Sequence, residues 1–315
     1  MVAIALVLAL AGCGGSDSDD APVDTSAAEA LNAKKHAREQ QRERAAEQEA
    51  AAETKRKASG SEATMEINKM LAALPGEGGL VVGAPGGDGT RLGGGDNLSS
   101  ISAWSTIKVP ISERVLMDAG GPDGISSAQA GNIDAAITLS DNDAAASLFA
   151  DLEAAHGGLE GASQAVGKML REAGDSKTEI STVGRDVFTT YGQTDWSLEE
   201  QNKYMAALAG GCVSDPASRR YLFDQMSQVT SDTWGLGSAG APAKWKGGWG
   251  PGVDGRYLVR QMGTMEIGGE EAVVTLAAIP DDGNFESAQA MATSIATWAA
   301  THLKGKVPES VPCTK

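Results

Sequence analysis

A serine and a lysine three positions apart are the first residues of this sequence whose types favour covalent chemistry. Ser105 and Lys108 lie in the segment AWSTIKVP at 103–110, which leads into an apolar helix. Residues at this spacing share one helical face, so the hydroxyl and the amine are neighbours. A serine hydroxyl is a weak nucleophile until a base takes its proton, and a desolvated lysine with a lowered pKa can be that base. The pair indicates nucleophilic catalysis, although a lysine at this spacing often only solvates a helix.

A second polar group, Ser140-Asp141-Asn142, follows 35 positions after Ser105. Ser, Asp and Asn all favour helix caps and turns, so alone the triplet predicts a helix boundary. In extended backbone, residues two apart point to the same side. The Ser140 hydroxyl and the Asn142 amide would then face one pocket, and Asp141 would be structural.

The third group is Lys246-Gly247-Gly248-Trp249, in a segment with the pattern of a strand. Glycines in a strand allow a ligand to approach the backbone closely. Taken alone, the segment is as typical of a glycine-rich loop.

Together the three groups resemble the S-x-x-K, S-D-N and K-T-G signatures of the class A β-lactamases and penicillin-binding proteins. The resemblance depends on their order and on the flanking residues, STIKVP at 105–110 and AAITLSDNDAA at 135–145, and it covers residues 78–303. It implies an α+β fold of the β-lactamase/transpeptidase type. We expect an antiparallel sheet with flanking terminal helices and a helical subdomain.

The resemblance also implies the catalytic roles. Ser105 would be the acylated nucleophile, and Lys108 would be its general base or proton relay. Ser140 would pass a proton to the leaving nitrogen.

The same resemblance implies the substrate-binding residues. Asn142 would hold the substrate amide, and Lys246 would attract the substrate carboxylate. Gly248 would allow close approach, and the backbone N–H of Trp249 would complete an oxyanion hole with that of the nucleophile. Arg256 matches an arginine that some class A enzymes use as a second carboxylate anchor; the alternative is a surface arginine on a strand.

The sequence departs from the family in three places. The stretch 174–196 lacks the E-x-x-x-N pattern that supplies the base for deacylation, so the acyl-enzyme should persist. Gly247 replaces a hydroxyl residue, and the loss of a hydrogen bond of about 1.5–3 kcal/mol should weaken carboxylate binding. The 35-residue interval is shorter than in class A enzymes, so a wall of the cleft is missing. Three tryptophans either line or fill the opened cleft: Trp104, Trp245 and Trp249.

The elements predicted around these groups have an α+β order. A helix is expected at 65–74, followed by strands at 80–82 and 90–92 on either side of a turn. Helical periodicity marks 133–152, 159–173 and 198–208. Strands at 257–262 and 272–279 and a last helix at 287–303 complete the order.

The N-terminus predicts export. Residues 1–12 are apolar and end in Leu10-Ala11-Gly12-Cys13, which resembles a bacterial lipobox in which Cys13 is lipidated. No Lys or Arg precedes the apolar run, unlike most export signals; the alternative is a merely apolar N-terminus. We expect a signal segment at 1–12, a polar spacer at 13–62, partly helical or disordered, and the β-lactamase-like domain at 63–305. The protein would be a lipoprotein on the outer face of the cytoplasmic membrane.

Two cysteines remain besides Cys13. An even pair in an exported protein predicts a disulfide between Cys212 and Cys313, which would tie the tail at 306–315 to the domain. The alternative is two unrelated thiols.

Charge and composition limit the partners. The net charge of −16 argues against nucleic-acid binding. The three histidines, His36, His156 and His302, lack ligand spacing, so we expect no metal and no cofactor. We expect a monomer.

The sequence is consistent with two functions. The first is an envelope-anchored serine hydrolase or acyltransferase, a serine β-lactamase-like hydrolase or D,D-peptidase, that forms an acyl-enzyme with β-lactams or peptidoglycan peptides and deacylates slowly. The second is a catalytically inactive lipoprotein of the same fold that binds or scaffolds in the envelope.

Overall fold

The computed structural model describes residues 25–87, 89–95 and 98–313. The N-terminal apolar run and Cys13 lie outside these residues, so the signal segment and the lipidation site stay predictions. Among the described residues, none of the helices has the length and apolar character needed to span a bilayer.

The first of two structural units ends at Lys55, and its described residues belong to helix α1 (Thr25–Leu71). Its described side chains between residues 36 and 51 are exposed. A helix that is polar all round has no face to pack against a core. The described part of the predicted spacer up to Lys55 is therefore an exposed helix.

The second unit begins at Arg56 and contains the sheet. Its strands are β1 (Gly76–Gly83), β2 (Leu92–Gly94), β3 (Ala243–Pro251), β4 (Tyr257–Ile267) and β5 (Glu270–Pro280). Within the described residues they form one five-stranded antiparallel sheet in the order β2-β1-β5-β4-β3. The helices that follow α1 are α2 (Lys108–Asp118), α3 (Ser127–Asp134), α4 (Asn142–His156), α5 (Leu159–Glu172), α6 (Leu198–Gly210), α7 (Pro216–Met226) and α8 (Phe285–His302).

The sheet has an apolar core on each face, because side chains alternate across a strand. On one face, Ile67 of α1 and Ile295 of α8 pack with strand residues such as Val274. On the other, Met262 of β4 and Val273 of β5 pack against the helical block between β2 and β3. The predicted α+β fold, with terminal helices on a sheet and a separate helical subdomain, is confirmed.

Two predicted elements differ from the structure. The helix expected at 133–152 is interrupted, because Ser140 has a left-handed backbone (φ 59°, ψ 30°) and Asp141 caps the start of α4. Ser140 ends the first helical segment and Asp141 begins the next. Hydrophobic periodicity does not reveal such a break, because it depends on apolar residues and not on caps. Met65, expected on the apolar face of the first helix, is 63% exposed, whereas Ile67 is fully buried.

A buried arginine connects the sheet to the segment that precedes the nucleophile. Arg260 of β4 is fully buried, and its guanidinium donates to the carbonyl oxygens of Ile101 (3.1 Å), Ser102 (3.0 Å) and Trp196 (2.8 Å). Burial lowers the pKa of Arg260 to about 9, so the group is still charged at neutral pH. One cation thus organises two loops beside the sheet.

The predicted disulfide is present. Cys212 and Cys313 are bonded, with their Cα atoms 5.2 Å apart. The tail also pairs with the turn after β1, where Gly87 N donates to Val311 O at 3.0 Å. The tail is therefore attached to the domain both covalently and through its backbone.

We predict that replacing both cysteines, Cys212→Ser with Cys313→Ser, lowers the free energy of unfolding by up to about 4–5 kcal/mol. The bond closes a loop of 101 residues, and opening it restores conformational freedom to the unfolded chain. Urea denaturation of both proteins measures the difference. Reduced wild-type protein should match the double variant; equal urea midpoints for the oxidised wild type and the variant would contradict the prediction.

Candidate active site

A strained turn presents the nucleophile. Residues Trp104–Ile107 form a 3₁₀ turn that leads directly into α2, and Trp104 has φ 49°. A left-handed backbone costs a non-glycine residue about 1–2 kcal/mol. The turn is held by packing, since the Trp104 ring meets Phe188 edge-on at 4.9 Å and a Cβ on Gly250 would lie 2.3 Å from it. Ser105 follows, half-buried.

Strand β3 passes directly beside this turn. A Cβ on Gly248 would lie 2.8 Å from Ser105 N and 2.9 Å from Thr106 N, so only glycine fits. Since β3 is an edge strand, the N–H groups on its outer side have no strand partner. The structure thus places the backbone of Gly248 next to Ser105, and Trp249 follows it on the strand.

Lys108 lies at the centre of a buried polar cluster. Its side chain is 2% exposed, and Nζ donates to Ser140 O at 2.6 Å, to Asn142 Oδ1 at 2.8 Å and to Ser140 Oγ at 3.5 Å. Burial, and next the charge of Lys246, lower the pKa of Lys108 to about 7. A substantial fraction of the amine is neutral near pH 7 and can accept a proton.

The Ser105 hydroxyl is not among the acceptors of Lys108 in this structure. The two side chains leave adjacent turns, one from the 3₁₀ turn and one from the first residue of α2. Hydrogen bonds between catalytic groups are often long in free enzymes and tighten when substrate binds. The two residues of the predicted pair are thus neighbours along the chain, without a hydrogen bond between their side chains in this structure.

The triplet at 140–142 reaches the cluster by a route that the sequence did not predict. We expected extended backbone, but Ser140 is left-handed and follows a π-helical turn at Ala135–Leu139. Asp141 is structural, as predicted, and accepts from Ala144 N at 2.7 Å. The left-handed residue turns the chain so that Ser140 and Asn142 both contact Lys108.

Lys246 does not offer a free ammonium to a ligand, in contrast to the expectation. It is fully buried, and Nζ contacts Ser140 Oγ (2.9 Å), Gly247 O (2.8 Å) and Asp232 Oδ2 (3.4 Å). Burial lowers the pKa of Lys246, and Asp232 opposes that shift. Ser140 Oγ thus bridges two lysines, and an internal carboxylate accompanies the second one.

The sequence analysis missed Asp232, because it belongs to none of the three groups. The sequence contains only an indirect indication of Asp232, namely the glycine at position 247 where the family has a hydroxyl residue. In the structure Asp232 fills the space that this side chain would take. A Cβ on Gly247 would lie 2.5 Å from Asp232 Cβ.

The three tryptophans lie in two different surroundings, and neither corresponds to lining the cleft. Trp104 is buried, and the Trp245 indole donates to Asp232 O at 2.8 Å, so these two fill space beside the site. Trp249 is 43% exposed and its ring packs on Phe285 of α8 at 4.6 Å. Its side chain belongs to a surface aromatic group.

Arg256 is not brought to the cluster. It lies in the turn between β3 and β4, where it pairs with Glu77 at 3.0 Å and Asp254 at 2.7 Å. It is neither on a strand, as one alternative had it, nor in the cluster that contains Lys246. The role of a second carboxylate anchor has no support in this geometry.

The loop at 174–196 is bound to the end of β3 but offers no base. Arg185 donates to Pro251 O and lies over the Trp104 ring at 5.8 Å. Asp175 is buried, where it accepts from Trp196 Nε1 at 2.8 Å. The loop's other acids are exposed and none is hydrogen-bonded to the cluster within the described residues: Glu179, Asp186 and Asp195. Among all the residues that the structure describes, no three Asp, Glu, His or Cys side chains form a group that could hold a metal.

No known protein-family profile and no curated protein matches this sequence. Several solved structures resemble it. A variant of PBP-A, solved as its acyl-enzyme complex with penicillin G, is 19% identical with a TM-score of 0.59, over 78% of this chain and 97% of that one.

Two β-lactamases are similar in the same way. The enzyme from Streptosporangium roseum is 15% identical with a TM-score of 0.59, over 78% of this chain and 100% of its own. A class A representative from Bacteroides cellulosilyticus is 13% identical with a TM-score of 0.61, over 78% and 99%. This chain therefore has the fold of the class A β-lactamases and penicillin-binding proteins.

Proposed function

We propose that this protein is a serine hydrolase or acyltransferase that forms an acyl-enzyme on Ser105, with β-lactams or peptidoglycan peptides as acyl donors. The observation that carries the proposal is the state of Lys108. A buried lysine with a pKa of about 7, contacting both Ser140 and Asn142, has the properties of a general base and not of a surface lysine.

The acylation step follows from the contacts. Ser105 Oγ attacks the carbonyl carbon while Lys108 Nζ accepts the hydroxyl proton, once substrate has brought the two within reach. The oxyanion is stabilised by N–H groups at the start of the 3₁₀ turn and on the outer side of β3. As the C–N bond breaks, Ser140 gives its proton to the leaving nitrogen and regains one from Lys108. The serine proton thus ends on the leaving group.

Deacylation should be slow. Hydrolysis of the ester needs a base that activates water. The exposed acids of the loop at 174–196 make no contact with Ser105 or Lys108 in the described part of the chain, and Asp175 is held by Trp196. We infer that the acyl group stays on the enzyme or passes to another acceptor.

A catalytically inactive binding or scaffolding protein is the second candidate. Its support is the burial of Lys246 beside Asp232, which removes the ammonium that would hold a substrate carboxylate. Labelling of Ser105 separates the two functions.

We also propose that the protein is an exported lipoprotein, anchored through Cys13 to the outer face of the cytoplasmic membrane. The support comes from the sequence: an apolar run that ends in Leu-Ala-Gly-Cys, followed by a polar spacer.

We predict that an acylating fluorescent probe labels the folded protein stoichiometrically with little steady-state turnover. Ser105→Ala should abolish the adduct, and Lys108→Ala should slow its formation by about 10²–10⁴-fold, the usual contribution of a general base. Intact-protein mass spectrometry counts the adduct. Lys168→Ala, which removes an exposed lysine of α5, is the matched control and should label like the wild type. A folded wild type that no acylating probe labels would support the inactive protein instead.

We predict that the labelling rate rises with pH up to about 7 and then levels off. Neutral Lys108 is the reactive form, so below its pKa of about 7 the rate should fall about tenfold per pH unit. Rates measured from about pH 5 to pH 9, corrected for hydrolysis of the probe, give the midpoint. A rate that still rises about tenfold per pH unit at about pH 9 would contradict a base with the lowered pKa of Lys108.

We predict that Cys13→Ser moves the full-length protein from the membrane fraction to the soluble fraction of a host that lipidates exported proteins. Loss of the acyl chains removes the apolar surface that binds the bilayer. Ser16→Ala serves as the control and should stay with the membrane. Unchanged membrane fractionation of the Cys13→Ser form would contradict the anchor.

A further inference from the structure

The carboxylate of Asp232 occupies the space that a side chain at position 247 would need. A Cβ on Gly247 would lie 2.5 Å from Asp232 Cβ, 2.7 Å from its Cγ and 2.7 Å from its Oδ2. These distances are shorter than real Cβ contacts, so Gly247 and Asp232 are matched to each other. The missing hydroxyl of the third group is therefore replaced by a negative charge.

Asp232 is fixed in this position. Its carbonyl accepts from the Trp245 indole and from Gln261 Nε2, each at 2.8 Å. Two residues earlier, Thr230 N donates to Thr138 O at 3.0 Å, which ties the segment to the turn that carries the catalytic serine of the triplet. Asp232 is buried, so it is a built part of the site and not a mobile surface acid.

The charge of Lys246 is already satisfied inside the protein. A lysine ammonium has three donors, and the three contacts of Nζ are with Ser140 Oγ, Gly247 O and Asp232 Oδ2. The side chain is fully buried. A ligand carboxylate that reached this place would find the Lys246 ammonium already paired and no hydroxyl at position 247. It would also lie next to the negative charge of Asp232. Two like charges at a few Å repel strongly where water is excluded.

Deepening the function proposed above, on which this inference rests, we propose that Asp232 is a specificity-determining residue that disfavours acyl donors with a carboxylate beside the scissile bond. Within the proposed classes, β-lactams and peptides whose carboxylate is esterified or amidated are the better donors. A peptide that ends in a free carboxylate next to the cleaved bond is a poor donor for this protein.

The test uses two probes that differ in one charge: a fluorescent penicillin with its free carboxylate, and the methyl ester of the same molecule. Wild-type protein should be labelled faster by the ester. Asp232→Asn should raise the ratio of the free-acid rate to the ester rate at least about tenfold, because the repelling charge is gone. The ratio is the readout, since the change also acts on Lys108 and Lys246 and so affects both rates. Asp123→Asn removes an exposed acid in the turn after α2 and should change neither rate.

A second variant tests the same idea with a hydroxyl in place of the carboxylate. Asp232→Gly with Gly247→Thr exchanges the internal carboxylate for a hydroxyl and should also favour the free acid. Gly247→Thr alone should destabilise the fold, because its Cβ meets Asp232. Circular dichroism and thermal unfolding show which variants are folded.

Binding measured in the Ser105→Ala background separates this inference from the proposed function, since no acylation can occur there. Fluorescence anisotropy should show that the added Asp232→Asn change strengthens binding of the free acid and not of the ester. If this holds but wild-type Ser105 is never labelled, the acylation proposal fails and Asp232 remains the excluding group. The inference would be overturned if Ser105→Ala bound acid and ester equally, both alone and with the added Asp232→Asn change. Equal labelling of wild-type protein by the acid and the ester would also overturn it.

Discussion

Two buried lysines contact one serine hydroxyl, and the neighbouring groups of the site reduce the repulsion between their charges. Lys108 and Lys246 both reach Ser140 Oγ, at 3.5 and 2.9 Å. Two full positive charges this close, away from water, would repel each other strongly. Their repulsion is reduced in different ways: burial and the neighbouring charge bring the pKa of Lys108 down to about 7, whereas Asp232 supports the charge of Lys246. Burial also lowers the pKa of Lys246, but Asp232 opposes that shift, and this asymmetry supports the proposed role of Lys108 as the base.

The elements that hold this contact come from distant parts of the chain. Lys108 begins α2, Ser140 ends a π-helical turn, and Lys246 lies on the edge strand β3. In the described part of the chain three non-glycine residues have positive φ; Trp104 and Ser140 lie at this contact, and Asp186 lies in the loop at 174–196. Such strain is stable only where the surroundings hold the residue in place, and it is concentrated at functional sites. At the contact it orients the turn before Ser105 and the turn that brings Ser140 to Lys108.

Particular residues show which features of the fold and the site can be predicted from the sequence and which cannot. The order of the three groups and their flanking residues predicted the fold through the resemblance to a known family, whereas hydrophobic patterning alone continued the helix at 133–152 through Ser140. The cysteine pair predicted the disulfide because no other cysteine was left to compete. Sequence could not place Asp232, since its contact with Lys246 depends on a loop packing against β3. Nor could it place Arg256, because a short turn directs that side chain to Glu77. In both cases the partner is decided by tertiary packing, which local spacing does not record.

The buried guanidinium of Arg260 has a consequence for the dynamics of the nucleophile. Its N–H groups are the partners of backbone carbonyls at Ile101, Ser102 and Trp196. Opening the loop before Ser105 would take the carbonyls of Ile101 and Ser102 away from this buried cation, at a cost of about 1–3 kcal/mol for each buried group left without a partner. We therefore expect amide hydrogen exchange in this loop to be coupled to β4, which carries the arginine, so that the segment before Ser105 opens together with the sheet and not as a separate surface loop.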